Sequence, residues 1–223
     1  MKDLLILGAG PFASLVRRYA ELELGLRVVS FVVHREFQTR DFFESLPVLS
    51  PEDAQKRFPP SQACMFVAVG YRTMRGRETA YLAARQMGYR LANLICPSSY
   101  VAEDVALGDN NIVMPGVVIE TGTKVGANNV IWSNATVCHE SSIGSHNFIA
   151  ANVTIGGGVV VGDKNFFGFS SVIAQRLQIG NETLIGALSW VNKSTQDLAQ
   201  YHGSPARMVR KLDTKSGVTV SDA

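Results

Sequence analysis

Apolar positions along this 223-residue chain follow two different periods. Up to about residue 93, short apolar runs alternate with segments whose apolar residues recur at helical spacing. Residues 4–7 read as a first strand. Gly8, Gly10 and Pro11 follow, then Phe12, Leu15, Val16 and Tyr19 at three- and four-residue intervals, a helix that Pro11 opens and Gly25 closes. Residues 28–33 read as a second strand. Ser50, Pro51, Glu52 and Asp53 resemble a capping box with Ser50 as the cap. Residues 65–69 form a third predicted strand, 75–87 a helix ended by Gly88, and 91–94 a fourth strand. Strands alternating with helices imply a small parallel α/β sheet.

From Ile95 the period becomes six. Ile95, Val101, Leu107, Val113, Ile119 and Val125 begin a series that runs without insertion through Ile131, Val137, Ile143, Ile149 and Ile155. It continues through Val161, Phe167, Ile173, Ile179 and Ile185 to Val191. With 46% of the chain hydrophobic, an unbroken series of this length arises by chance on the order of once in a million. Gly follows the apolar residue at Leu107, Val125, Ile143, Ile155, Val161, Phe167, Ile179 and Ile185. Such repeats wind into parallel β-helices, each short strand giving one inward aliphatic per face and three faces making an eighteen-residue coil. An ordinary β-sandwich would show period two with irregular turns instead. Corners that turn this tightly favour Gly and Asn, and Asn110, Asn128, Asn129, Asn147 and Asn165 fall near them. The fold class is thus an α/β, Rossmann-like small parallel sheet followed by an all-β parallel β-helix.

Composition narrows the function. A net charge of +2 and no long Lys/Arg run argue against nucleic acid. No stretch reaches the ~20 apolar residues of a membrane span, and residues 1–10 read as a strand, not a signal peptide. Cys64, Cys96 and Cys138 make no CxxC pair, so the simplest expectation is a cytoplasmic protein with reduced thiols and no metal knuckle.

The repeat from Ile95 to Val191, the step Cys138-His139-Glu140 and the tail Gly203-Ser204-Pro205-Ala206-Arg207 resemble the left-handed β-helix acyltransferases. With the segment Gly8-Ala9-Gly10 and the later Ala68-Val69-Gly70, residues 1–211 are similar to the bacterial nucleotide-sugar N-acetyltransferases of the sialic acid O-acetyltransferase-like group. The left-handed winding is implied by that resemblance alone. So are a homotrimer with sites between neighbouring β-helices, acetyl-CoA as donor, a nucleotide-linked amino sugar as acceptor, and a place in lipopolysaccharide or glycan biosynthesis. Three regions follow: residues 1–94 to hold the nucleotide sugar, 95–195 as the acyltransferase β-helix, and 196–223 as a tail contributing to CoA binding.

Acyl transfer from a thioester to an amine needs a general base and donors for the developing oxyanion. The resemblance places the base at His139, with Glu140 orienting it or raising its basicity. Both must then sit at a corner, because adjacent residues of a regular strand point to opposite faces. It places the donor along Gly157, Phe169 and Ala187, with Arg207 or Lys193 near the CoA phosphates. On the acceptor side, Gly8, Gly10 and Phe12 lie in a G-x-G-x-x-A turn between strand and helix, where the helix N-terminus suits phosphate. Tyr71 and Arg72 follow the third strand, and His146 is a further candidate for the acceptor. Residues 31–35 end the second predicted strand without the acid that a dinucleotide site requires, which excludes NAD. A three-histidine metal site is poorly supported, since the repeat carries only His139 and His146. Sugar O-acetyl transfer and a non-catalytic nucleotide-sugar scaffold are the alternatives.

Overall fold

The computed structural model describes residues 3–70 and 72–220. The chain divides into two compact units, Met1–Gly70 with Thr79–Leu94 and Tyr71–Glu78 with Ile95–Ala223.

In the first unit the strands β1 (Asp3–Leu7), β2 (Val28–Val32), β3 (Phe42–Phe43), β4 (Leu46–Leu49), β5 (Ala63–Val67) and β6 (Arg90–Leu91) form one sheet in the order β3-β4-β2-β1-β5-β6. All pairs are parallel except β3 with β4. Helix α1 (Pro11–Arg18) starts at Pro11 and runs into a wider turn at Tyr19–Glu23. Helix α2 (Pro51–Arg57) is capped by Ser50, whose Oγ accepts the Asp53 N–H at 3.2 Å. Leu5, Leu7, Val32, Met65, Val67 and Leu91 interleave with Ala54, Ala84 and Tyr89 as the core. Gly8 crosses from β1 to α1 at φ +122°, and a Cβ there would stand 2.8 Å from the Ala68 carbonyl oxygen, so only glycine fits. The β3–β4 hairpin is not foreshadowed in the sequence: Glu44 and Ser45 take positive φ in its turn where Gly or Asn would have marked it.

Helix α3 (Met74–Gln86) begins in the second unit and ends in the first. The predicted strand over 91–94 is in fact two: β6 stops at Leu91, and Leu94–Ile95 opens the β-helix.

The second unit is a left-handed parallel β-helix. Its first face stacks Ile112–Val113, Val130–Ile131, Phe148–Ile149, Phe166–Phe167 and Thr183–Ile185. The second face runs from Tyr100–Val101 through Thr136–Val137 and Thr154–Ile155 to Trp190–Val191, and the third from Ala106–Leu107 through Ser142–Ile143 to Gln178–Ile179. Each residue pairs with the one eighteen further on, as Val137 does with Ile155. Val113 to Val191 of the six-residue series are buried, while Ile95, Val101 and Leu107 of the end coil, which has a neighbour on one side only, are half-buried. Each full burial contributes about 1.5–3 kcal/mol relative to exposure.

The corners obey a stricter rule than composition suggested. The third residue of every corner, each sixth residue from Asn110 to Leu188, has positive φ. Three are glycines (Gly116, Gly122, Gly158) and four asparagines (Asn110, Asn128, Asn134, Asn152), but Glu140, His146, Lys164, Ser170, Arg176, Glu182 and Leu188 adopt it too. Stacking between coils therefore overrides a cost of roughly 1–2 kcal/mol per left-handed residue. Asn129, Asn147 and Asn165 do not take this conformation. With Asn111 they form a buried ladder instead, in which the side-chain oxygen of one rung accepts the backbone N–H of the next: Asn111 from Asn129 at 2.9 Å, Asn129 from Asn147 at 2.9 Å, Asn147 from Asn165 at 2.8 Å.

After the coils the second unit forms an antiparallel hairpin, Ala199–Gly203 with Ala206–Lys211, the first strand of which pairs with Thr183–Ile185, and Thr219 further on bridges to Thr73. No helix among the described residues is long and apolar enough to cross a membrane.

Candidate active site

His139 and Glu140 lie at the corner between the second and third faces, flanked by Thr136–Val137 and Ser142–Ile143. Glu140 is the left-handed residue of this corner at φ +57°. The sharp turn swings its side chain to the same side as His139, and its Oε2 stands 3.4 Å from His139 Nδ1. Both side chains are exposed. The other edge of the imidazole lies over Gly157, one coil further on: a Cβ on Gly157 would be 2.7 Å from His139 Nε2 and 2.8 Å from Cε1. Gly157 is the middle of a run of three glycines, and the missing side chain is what gives the ring its place. The Gly156 N–H donates to the Ile173 carbonyl and the Gly158 N–H to the His139 carbonyl, each at 2.9 Å.

This arrangement defines chemistry at two atoms. A Glu140 carboxylate facing Nδ1 favours the tautomer with its proton there, which leaves the Nε2 lone pair to accept a proton above the glycine floor. Cys138, next to it, is half-buried; burial first and the Glu120 carboxylate second push its thiol above the usual range, which keeps it protonated.

Phe169 and Ala187 occupy a different corner, between the first and second faces. They are one coil apart, and the Leu188 N–H donates to the Phe169 carbonyl at 2.9 Å. Both are exposed, Phe169 by 58%. Within one chain the second face therefore separates them from His139, Glu140 and Gly157. Arg207 stands on the outer strand of the terminal hairpin, exposed, its Nη1 donating to the Ala206 carbonyl at 2.9 Å. In the same hairpin the His202 ring lies against Gly186.

His146 lies at the remaining corner, between the third and first faces, and is 7% exposed. Its Nδ1 accepts the Asn128 Nδ2–H at 2.9 Å, and its Nε2 stands 3.9 Å from Glu78. Burial, ahead of the opposing charges of Glu78 and Asp163, holds the imidazole below its ordinary value, so it stays neutral. His146 is one member of a column of left-handed corner residues, Asn110, Asn128, His146, Lys164 and Glu182, that receives the first turn of α3. Arg75 forks onto Glu182 at 2.7 and 3.0 Å, and Lys164 donates to Glu78 at 3.2 Å. Arg77, fully buried, donates to the Asn128 carbonyl at 2.9 Å and is pushed down to about 10 by desolvation. Sequence reasoning missed this contact, because nothing in the repeat shows which corner a helix will cover.

In the first unit Gly8 and Gly10 lie in the β1–α1 turn, with Gly10 as the residue before α1, and half-buried Phe12 is the second residue of that helix. Arg72 is exposed and its carbonyl accepts the Val220 N–H at 2.9 Å. Tyr71 lies outside the described residues. Among the described residues no cluster of three or more His, Cys, Asp or Glu is arranged to hold a metal ion.

Residues 122–157, which include this corner, match the family model of the bacterial transferase hexapeptide, six repeats. No curated protein matches the chain by sequence. Among solved structures, PerB from Caulobacter crescentus in complex with CoA and GDP-perosamine is 27% identical, covers 93% of this chain and 97% of its own, and superposes with a TM-score of 0.82. A histidine mutant of perosamine N-acetyltransferase from the same organism, also with CoA and GDP-perosamine, is 26% identical over 95% of this chain and 98% of its own, with a TM-score of 0.74. The acetyltransferase domain of PglB from Neisseria gonorrhoeae FA1090 with acetyl coenzyme A is 22% identical over 93% and 99%, with a TM-score of 0.83, a likeness of fold alone. The repeat, its winding and the match over residues 122–157 give this chain a left-handed β-helix with the hexapeptide repeat of bacterial transferases. Among proteins of that type, the chain is similar over nearly its whole length to the Caulobacter perosamine N-acetyltransferase structures.

Proposed function

We propose that this protein transfers the acetyl group of acetyl-CoA to the amine of a nucleotide-linked amino sugar. The observation that carries the reading is the seat of His139: an exposed imidazole with Nδ1 facing Glu140 and Nε2 held over Gly157. The near full-length likeness to a structure holding CoA and GDP-perosamine supports the choice of donor and acceptor.

In this reading His139 Nε2 takes a proton from the sugar amine as the nitrogen attacks the thioester carbonyl, and returns it to the departing CoA sulfur. The oxyanion needs a donor, and with the Gly156 and Gly158 amides engaged, the Gly157 N–H is the one assigned to it. Pantetheine runs along Gly157, Phe169 and Ala187. These lie on two corners of one chain, so a homotrimer, in which a neighbouring β-helix supplies one corner, is the assembly the proposal requires. Arg207 meets the phosphate end of CoA. Gly8, Gly10, Phe12, Tyr71, Arg72 and His146 are the residues this reading assigns to the nucleotide sugar. Residues 1–94 thus serve the acceptor, 95–195 the chemistry and 196–223 the CoA end, in a cytoplasmic enzyme of glycan biosynthesis.

The test is release of free thiol from acetyl-CoA by the purified protein with a panel of nucleotide-linked amino sugars, GDP-perosamine among them. His139→Ala is expected to abolish acetyl transfer while leaving assembly and melting unchanged, because His139 is outside the aliphatic column. Full activity in that variant would refute the mechanism.

A further inference from the structure

The amide of His139 reveals a residue that the site depends on. At the corner between the third and first faces, the second-position N–H is capped by a side chain of the following coil: Ala127 by Ser145 Oγ at 3.0 Å, Ser145 by Asp163 Oδ1 at 2.6 Å, Asp163 by Asn181 Oδ1 at 2.9 Å. His139 is the second residue of its own corner. The position that would cap it in this scheme is Gly157, whose place beyond Cα is filled by the imidazole. The cap comes instead from the preceding coil, where half-buried Glu120 accepts the His139 N–H on Oε2 at 2.8 Å. The next amide, that of Glu140, donates to the Thr121 carbonyl at 3.0 Å. Asp104 braces that neighbour in turn, accepting from Thr121 Oγ1 at 2.7 Å and the Gly122 N–H at 2.8 Å.

We propose that Glu120 is a positioning residue of the acetyl-transfer site: its hydrogen bond to the His139 amide holds the corner so that the imidazole lies over Gly157. The inference rests on the reading of His139 as the base. A charge-assisted bond to a backbone amide is stronger and more directional than a neutral one, and it fixes the φ/ψ from which the ring projects. Glu120 does not touch the reacting atoms; it acts through the backbone of the residue that does.

The test uses the full-length protein with acetyl-CoA and GDP-perosamine, comparing Glu120→Ala, Glu120→Gln and His139→Ala. Loss of the cap lets the ring wander, and a misplacement of ångström scale costs up to about a hundredfold, so Glu120→Ala is expected to lower kcat roughly tenfold with both KM values within about twofold. Glu120→Gln keeps an acceptor oxygen at the same reach and is expected to stay within about threefold of the parent. Without any acceptor sugar, the His139 ring correlations in NMR spectra, assigned by their absence in His139→Ala, should move in Glu120→Ala and be restored in Glu120→Gln. Unmoved ring resonances in Glu120→Ala overturn the inference, whatever the probe sugar does. A Glu120→Ala enzyme at parental kcat beside an inactive His139→Ala overturns it while leaving the role of His139 standing. Equal losses in Glu120→Ala and Glu120→Gln overturn the hydrogen-bond assignment. An active His139→Ala removes the reading and this inference with it.

Discussion

Replacing Gly157 with Ala separates the position of the imidazole from the integrity of the fold. The three heavy atoms nearest the added Cβ all belong to the His139 ring: Nε2 at 2.7 Å, Cε1 at 2.8 Å and Cδ2 at 3.3 Å. Ordinary contact begins at 3.4 Å, so the near edge of the ring must retreat by at least 0.7 Å. Gly157 does not use positive φ, and the ring is the free end of an exposed side chain, so the backbone has no reason to move. The cost therefore falls on geometry: about 10- to 100-fold in kcat/KM, with Tm within about 2 °C of the parent. Gly156→Ala is the contrast, because its Cβ would meet backbone, Gln175 N at 2.8 Å and Ile173 O at 3.0 Å, and should lower Tm instead. Thiol-release kinetics and thermal melts of the two variants read the split. A folded Gly157→Ala protein with parental turnover would refute the claim that the ring works from its seat over residue 157.

Two further predictions concern stability. Burial holds His146 neutral in the fold, below the ordinary imidazole value of 6.5, so its contribution is present above that pH and is lost as pH falls toward and through the depressed value, where the native state must accept a proton beside Asn128 Nδ2–H. His146→Asn keeps the left-handed corner, as Asn110 and Asn128 do in the same column, and its Tm should fall less than the parent's between about pH 7.5 and about pH 5.5; parallel melting curves would contradict the assignment. Ile143→Asp places a carboxylate at a position 2% exposed inside a coil and should abolish folding, measured by circular dichroism and gel filtration; a soluble, cooperatively melting variant would contradict the inward register.

Much of this molecule is written in local pattern. The period of six fixes which side chain turns inward, because every coil repeats the same backbone and each inward residue stacks only on its neighbours eighteen away. The Ser50 cap and the Pro11 start are equally local, each satisfied within one turn of chain. The corner asparagines divided in a way composition does not show. Asn128 and Asn129 are adjacent and chemically identical, yet one takes the left-handed turn and the other becomes a ladder rung, because position within the corner, not residue type, decides. The β3–β4 hairpin escaped notice because Glu44 and Ser45 carry no turn signal; Ser14 and Arg17 of α1 donate hydrogen bonds to Glu44 instead.

The sequence by itself determined the coil, the aliphatic column and the corner on which His139 and Glu140 stand, since each follows from spacing along one continuous repeat. Only the tertiary structure decided that the imidazole rests on Gly157, that its amide is held by Glu120, and that α3 covers the His146 corner. Those contacts join residues a coil or more apart, and a periodic pattern says which positions align without saying which side chain fills the space between them.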